Sequence, residues 1–243
     1  SRPAQRIVTL APHATELVVA AGASAQLIAV SPAPALAAAL DALPRLNTFG
    51  GLDRERLLTL QPDLVVAWHS GNRPSDLDWL RRQGIAVFAS EPVTLVDIGT
   101  AIRRLGRLAG TEAVATRAAD RFNRHLQRRC SSLPALPAYI AVWTHPPMSV
   151  GGRHWLNDVL AAAGFRNVWG DIAAGVFTVS REAVLRTAEA TRLSLVRRFD
   201  GSLEDRLADL LSRPGPRLAE AVEILCARRE GLAVTPGPPY PGT

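Results

Sequence analysis

The stretch that decides the fold is residues 48–72, T-F-G-G-L-D-R-E-R-L-L-T-L-Q-P-D-L-V-V-A-W-H-S-G-N. Its first half predicts a helix, because Asp53 is a favourable N-cap and leucines recur at helical spacing up to a proline, which has no N–H to donate. The apolar run at residues 64–67 is typical of a parallel strand covered on both faces. Ligands bind beyond the carboxyl ends of such strands, so Trp68 and His69 are the first candidate site residues.

Strand and helix patterns alternate along the chain, which predicts an α/β fold with parallel sheets. Residues 1–92 are expected to form an N-terminal lobe. An amphipathic pattern then predicts one long connecting helix over residues 93–130, which at 1.5 Å per residue would reach about 50 Å. A second α/β lobe is expected over residues 131–230, followed by a disordered tail over residues 231–243.

The net charge of +6 comes entirely from arginine, since the sequence contains no lysine. The arginines are scattered over helix faces and form no basic stripe interleaved with aromatic residues, which favours a solvated basic surface over a nucleic-acid interface. No run of 18 apolar residues occurs, so no membrane span is predicted. The opening S-R-P-A-Q-R leads directly into a strand, and we therefore expect a mature chain without its leader.

Four motifs follow one another along most of the chain: R-I-V-T-L-A-P-H-A-T-E-L-V-V-A-A-G at 6–22, T-F-G-G-L-D-R-E-R-L-L-T-L-Q-P-D-L-V-V-A-W at 48–68, V-S-R-E-A-V-L at 179–185 and R-P-G-P-R at 213–217. Together they resemble the periplasmic cobalamin-binding proteins of ABC importers, the helical-backbone class (class III) of substrate-binding protein. The resemblance implies two Rossmann-like lobes and the capture of a corrinoid between them. It also implies delivery to permease subunits in the inner membrane. Siderophore- and haem-binding relatives share much of the pattern and are the alternative.

Aromatic residues at loop ends are the candidate ligand contacts, because a large flat ligand calls for groups that bury much area at little cost in rotamer entropy. The resemblance assigns Asp209 as an acidic contact and makes Phe177, beside Val176, a substitute for an expected aromatic. The complete predicted set is Phe49, Trp68, His69, Trp143, Met148, Phe177 and Asp209. The ordinary alternative is that the aromatic residues cap strand ends in the core.

Two glutamates are candidate docking residues, because each lies in a matching motif of a different lobe. The resemblance implies that Glu55 and Glu182 pair with arginines of the permease. Exposed charge pairs contribute little energy each, but they set orientation and association rate. The alternative is a pair of solvated helix carboxylates.

Other chemistry has little support in the sequence. The five histidines show no metal-ligand spacing, and G-x-S-x-G, the P-loop and G-x-G-x-x-G are absent. We therefore expect no catalysis, no cofactor and no metal, and a monomer that binds no nucleic acid. An α/β enzyme is the alternative from a different class.

The chain departs from the family pattern in its second lobe, which is short of about one strand and one helix before residue 208. A degenerate receptor or a trimmed chain, which binds weakly or not at all, is therefore a third alternative. The resemblance also places the usual partner of Cys226 at Ala163, so that bridge is absent. Cys130 is either a substitute partner or a free thiol.

Overall fold

The computed structural model describes residues 2–33, 36, 40–46, 48, 50–127, 130 and 134–231. The chain divides into two compact units. Of the described residues, the first unit contains those up to Pro92 together with Val96–Arg121, and the second contains Val93–Leu95 together with those from Phe122 to Gly231. Phe49 and residues 232–243 of the predicted tail lie outside the described residues.

The first unit is built on a parallel sheet with strand order β2-β1-β3-β4. The strands are β1 (Ile7–Thr9), β2 (Leu27–Ala29), β3 (Leu64–Trp68) and β4 (Ala86–Ser90). The helices between them are α1 (Pro12–Ala20), α2 (Arg54–Leu60) and α3 (Pro74–Arg82). Strand β3 lies inside the sheet and residues 64–67 are buried, as their continuous apolar run predicts.

Helix α2 begins and ends where its sequence predicts. The Asp53 carboxylate accepts a hydrogen bond from the Arg56 N–H at 3.0 Å and so caps the helix. Gln61 ends it in the left-handed region, with φ of 46°, immediately before Pro62. The buried Asp76 of α3 accepts from the Leu52 N–H at 3.1 Å, which fixes the loop that enters α2.

The predicted connecting helix is two helices, α4 (Leu95–Ala109) and α5 (Glu112–Gln127), which corrects the expectation of one continuous helix over residues 93–130. Gly110 lies between them with φ of 75°, a conformation that ends helices and that glycine adopts without steric cost. The Thr111 hydroxyl donates to the Ala21 carbonyl at 2.6 Å and holds this turn in place.

Small residues let the chain fold back after this turn. Gly106 of α4 lies against Ala115 of α5 so closely that a methyl group on Gly106 would overlap the Ala115 side chain. An ion pair between Arg103 and Asp120 joins the same two helices. Most of both helices therefore belongs to the first unit, and the boundary between the units falls within α5.

The second unit contains a parallel sheet with order β10-β5-β8 and a small antiparallel sheet with order β6-β7-β9. The strands are β5 (Leu136–Ala141), β6 (Trp143–Thr144), β7 (Pro147–Val150), β8 (Phe165–Asn167), β9 (Val176–Thr178) and β10 (Thr191–Ser194). The helices are α6 (Leu156–Ala162), α7 (Arg181–Leu185), α8 (Leu203–Leu211) and α9 (Leu218–Arg229). The sequence predicts loops where the antiparallel sheet lies.

Two expectations for the second unit can be compared directly with the structure. Residues 195–202, between β10 and α8, form neither strand nor helix, which agrees with the predicted shortening. Cys130 and Cys226, whose pairing the sequence left open, form a disulfide with a Cα–Cα distance of 5.2 Å. Within the described ranges, no helix is both long and apolar enough to span a membrane.

The close approach of α4 and α5 predicts the direction in which Gly106→Ala changes the free energy of unfolding. Alanine in place of a helix glycine normally stabilises by about 0.5–1 kcal/mol. Because the new methyl group would overlap Ala115, we expect Gly106→Ala instead to lower the free energy of unfolding by roughly 1–3 kcal/mol, measured by urea denaturation. Adding Ala115→Gly should recover part of the loss. A single variant at least as stable as wild type would contradict the close packing.

Candidate functional site

A cavity of about 410 Å³ lies on one face of the parallel sheet of the second unit. Its floor is formed by Tyr139 and Ala141 of β5 and by Arg192 of β10, which is the register partner of Tyr139. Val184 and Leu185 of α7 line it as well. Small-molecule sites usually measure about 300–1,000 Å³, so the cavity has the size of a binding site for a small ligand or for part of a larger one.

The β6–β7 hairpin supplies another wall of the cavity, with Trp143 and Met148. These two residues are direct partners in the antiparallel pair, so their side chains lie side by side. The Trp143 indole N–H donates to the His145 carbonyl at 3.1 Å, although the side chain is 55% exposed. The pair therefore presents a flat, polarisable surface that is already oriented.

Two further aromatic rings complete the cavity. Trp169 packs edge-on against Tyr139, with ring centroids 5.2 Å apart, and both residues line the cavity. Phe177 packs against Trp169 at 6.0 Å but does not itself line the cavity. Phe177 therefore supports a cavity residue, and the direct ligand contact that the sequence predicts for it stays a prediction.

Sequence reasoning missed the two arginines of the cavity, Arg181 and Arg192. Both side chains are exposed, and neither has an ion pair with any acidic residue in the part of the chain that the structure describes. A signal was present, since Arg192 interrupts an otherwise apolar strand pattern. It predicts an edge strand, as observed, but an edge position alone gives no reason to expect a cavity.

Trp68 and His69 lie together at the carboxyl end of β3 in the first unit, as predicted. The Trp68 indole packs edge-on against the buried His13 ring at 5.1 Å. It also lies directly on Gly71, where any Cβ atom would overlap it. The Trp68 ring is thus held half-buried in one orientation, while His69 is exposed.

Asp209, a predicted ligand contact, lies in the interior of the second unit. Its carboxylate is 1% exposed and forms ion pairs with Arg197 at 2.8 Å, Arg213 at 2.6 Å and Arg217 at 3.3 Å. Removing one partner of such a buried cluster would leave an uncompensated charge, so the cluster fixes the positions of the loop and helices that carry it. We therefore assign Asp209 to a structural ion-pair cluster.

Asp205 belongs to the same cluster and holds the loop after β10. It accepts hydrogen bonds from the Arg197 side chain at 2.7 Å and from the Arg198 and Phe199 N–H groups at 2.8 and 2.9 Å. The Arg197 hydrogen bond lowers the pKa of Asp205 from 3.8 to about 2, against the opposing effect of burial. Asp205 is therefore fully ionised at neutral pH.

The two predicted docking glutamates occupy equivalent positions. Glu55 is the second residue of α2, after the Asp53 cap, and Glu182 is the second residue of α7, after Ser180, whose hydroxyl accepts from the Ala183 N–H at 3.1 Å. Both side chains are exposed. Each carboxylate is therefore presented on the first turn of a capped helix.

The histidines do not converge on a metal site. His13 is buried beneath Trp68, and His125 lies 2.9 Å from Glu223. Burial lowers the pKa of His154 to about 4, and its neutral ring accepts from the Leu156 N–H at 3.2 Å. Over the described residues, no group of three or more His, Cys, Asp or Glu side chains could hold a metal ion.

These features fit a class of protein that binds a solute without transforming it. The chain belongs to the Periplasmic binding protein family, whose sequence profile matches residues 7–223. This membership confirms both the predicted fold class and the expectation that the chain is not an enzyme.

Two vitamin B12-binding proteins are among the relatives of this chain. The Vitamin B12-binding protein of Vibrio cholerae is 32% identical over 92% of this chain and 88% of its own length. The one from Vibrio vulnificus is 29% identical over 92% of this chain and 89% of its own length. These relatives confirm the resemblance read from the motifs.

Solved structures share the fold. The crystal structure of the periplasmic vitamin B12 binding protein BtuF of Vibrio cholerae matches with a TM-score of 0.79 at 29% identity, over 94% of this chain and 97% of that one. A periplasmic heme binding protein from Pseudomonas aeruginosa matches with a TM-score of 0.76 at 22% identity, over 98% and 96%. The second likeness concerns the fold alone.

The Asp205 hydrogen bonds predict how stability depends on pH. A carboxylate with a lowered pKa in the folded state stabilises the protein fully above its ordinary pKa of 3.8, and this contribution is lost as pH falls through about 2. At about 1.4 kcal/mol per pKa unit, Asp205→Asn should lower the free energy of unfolding by roughly 2 kcal/mol at pH 7.

The difference between wild type and Asp205→Asn should therefore shrink between pH 4 and pH 2 in denaturant titrations. Asp171→Asn, at an exposed carboxylate of the same unit, is the matched control and should change stability by less than about 0.5 kcal/mol. A difference that stays constant with pH would show that Asp205 does not act through its charge.

Proposed function

We propose that this protein captures a corrinoid, cobalamin or a close relative, in the periplasm and delivers it to an ABC importer of the inner membrane. The observation that carries the proposal is the Trp143–Met148 pair on the wall of the cavity. Both residues are also ligand contacts predicted from the sequence. The vitamin B12-binding relatives, which match nearly the whole chain, support the same ligand class.

The physical basis of binding is the burial of a large and mostly apolar ring system. Oriented aromatic side chains bury much area at little entropic cost, and the Trp143 and Trp68 rings are both held by their surroundings. We include Trp68, His69 and Phe49 of the first unit among the proposed contacts. Binding is non-covalent, and no residue is required to act as an acid, base or nucleophile.

A second candidate ligand of the same class of receptor is haem or a ferric siderophore. The observation that favours it is the positive charge of the cavity, where Arg181 and Arg192 have no acidic partner within the described chain. An anionic iron chelate would use that charge. The two candidates differ in what the protein binds and not in its transport role.

The equivalent positions of Glu55 and Glu182 support the proposed docking to the permease. Each lies on the first turn of a helix whose start is fixed by a capping side chain. Ion pairs at such exposed sites contribute little affinity individually, but two of them at fixed positions define one orientation on the partner. Glu182, which pairs with the neighbouring Arg186, would exchange this partner for an arginine of the permease on docking.

The proposed ligand is tested by titrating the protein with cyanocobalamin, haemin and a ferric hydroxamate, following tryptophan quenching and calorimetry. We expect one-to-one binding of cyanocobalamin with a Kd below about 1 μM. Because Trp143 would be a buried anchor in the complex, Trp143→Ala should weaken that binding by roughly 1–3 kcal/mol.

Trp79→Ala is the matched control, since Trp79 of α3 is not among the proposed contacts, and its affinity should equal that of wild type. Binding of haemin without binding of cyanocobalamin would reject the corrinoid proposal. Unchanged affinity in Trp143→Ala would remove the cavity of the second unit from the site.

Docking is tested separately from ligand binding. The double variant Glu55→Arg, Glu182→Arg should keep its ligand affinity but abolish uptake with the cognate importer, because both proposed contacts would become repulsive. The matched control is Glu112→Arg with Glu189→Arg, which reverses the charge of one exposed glutamate in each unit. Normal uptake by the first variant, or equal loss in both, would end the docking assignment.

A further inference from the structure

The arginines of the cavity differ from other arginines close to them in sequence. Arg186 pairs with Glu182, and Arg197 is held by Asp205 and Asp209. Arg181 and Arg192, by contrast, line the cavity without a hydrogen bond or ion pair from their guanidinium groups to any described residue. Their charge is therefore available to a ligand in the cavity.

The positive charge continues beyond the cavity. Arg192 also lines a second hollow of about 170 Å³, together with Arg198 and Arg228. Its one acidic residue, Glu204, is occupied by an ion pair with Arg228 at 2.6 Å. The side of the cavity at Arg192 is thus positive over a wider area, which favours an anion there.

The rest of the cavity wall has a different character. Tyr139, Trp143 and Trp169 give it three aromatic rings, and Tyr139 and Trp169 are held at 5.2 Å from one another. Aromatic faces beside guanidinium groups suit a ligand part that combines a flat ring with a negative charge. Arginine recognises phosphate and carboxylate groups through paired N–H donors.

We propose that this cavity receives the nucleotide end of the corrinoid, with its phosphodiester at Arg192 and Arg181 and its aromatic base among the three rings. The inference rests on the proposed function and deepens it. The phosphodiester is the negatively charged substituent of cobalamin, whose other peripheral side chains are neutral amides. A volume of about 410 Å³ lies near the lower end of the usual range for ligand sites and suits this fragment better than the whole corrinoid.

The test compares two corrinoids that differ in this fragment. Cyanocobalamin carries the nucleotide, and dicyanocobinamide lacks it. Arg192→Gln and Arg181→Gln should each weaken cyanocobalamin binding by about tenfold, the size expected for a lost hydrogen bond to a charged group. Dicyanocobinamide affinity should stay within about twofold of wild type, because it has no phosphate.

Arg166→Gln is the matched control, since Arg166 is an exposed arginine of the same sheet that does not line the cavity. Its affinity for both corrinoids should match that of wild type. Thermal unfolding of each variant is expected to be unchanged, because neither cavity arginine forms an ion pair with a described residue, and it excludes misfolding as the cause of lost binding.

The outcomes separate this inference from the proposed function. If wild type binds cyanocobalamin and both cavity variants bind it equally well, the nucleotide assignment is overturned and the proposed function stands. If both corrinoids weaken equally, the arginines do not act on the phosphate, and the assignment is again overturned. If wild type binds haemin alone and Arg192→Gln weakens it, the anion is a carboxylate, and both the corrinoid proposal and the nucleotide assignment fail.

Discussion

The alternation of side chains along β5 and β10 is the constraint on which the site of the second unit depends. Leu193 is buried and lies with Leu207 of α8, so one face of this sheet is packed by helices. Tyr139 and Arg192, which alternate with the buried Ile140 and Leu193, line the cavity on the other face, and Arg192, on the edge strand, also borders the hollow beside α8. Because the chain passes from β10 to α8 through a stretch without helix or strand, no element of that stretch covers this face, and a cavity remains.

The ion-pair cluster explains how so short a connection stays ordered. Asp205 and Asp209 hold Arg197, and Asp205 also accepts from two backbone N–H groups of the connecting loop. Phe199 is fixed there with φ of 56°, a conformation that costs energy for a non-glycine residue. The Asp209 carboxylate, which the sequence predicts as a ligand contact, thus forms ion pairs with three arginines inside the second unit. The charges that remain for a ligand belong to arginines that the sequence did not single out.

Local signals explain what could be predicted. The buried run at residues 64–67, the Asp53 cap and the proline after α2 each act within a few residues, and the structure follows them. The separation of α4 from α5 also has a local cause, the helix-ending conformation of Gly110. Predicting it from the sequence would also have required knowing that Gly106 packs closely against Ala115. The pattern of apolar residues is the same for one long helix and for two packed helices.

The cavity could not be predicted because its members come from distant parts of the chain. Trp143 was predicted from its place at the end of a strand pattern and Met148 from the family resemblance. Trp169 and Arg192 join them through the pairing of β5 with β8 and β10, and Arg181 follows β9, which pairs with β7. The β6–β7 hairpin gave no strand signal, since its first strand is Trp143–Thr144 alone. The burial of Asp209 among three arginines could not be predicted either, because burial is a property of the whole unit.

A corrinoid bound at the proposed Trp143–Met148 wall would place its cobalt beside these two residues. A crystal structure of the protein grown with cyanocobalamin tests this, because anomalous scattering locates the cobalt independently of any fitted ligand. We expect a single cobalt peak beside this wall, with density for the nucleotide entering the cavity toward Arg192. A cobalt peak elsewhere on the protein, or none at saturating ligand, would contradict it.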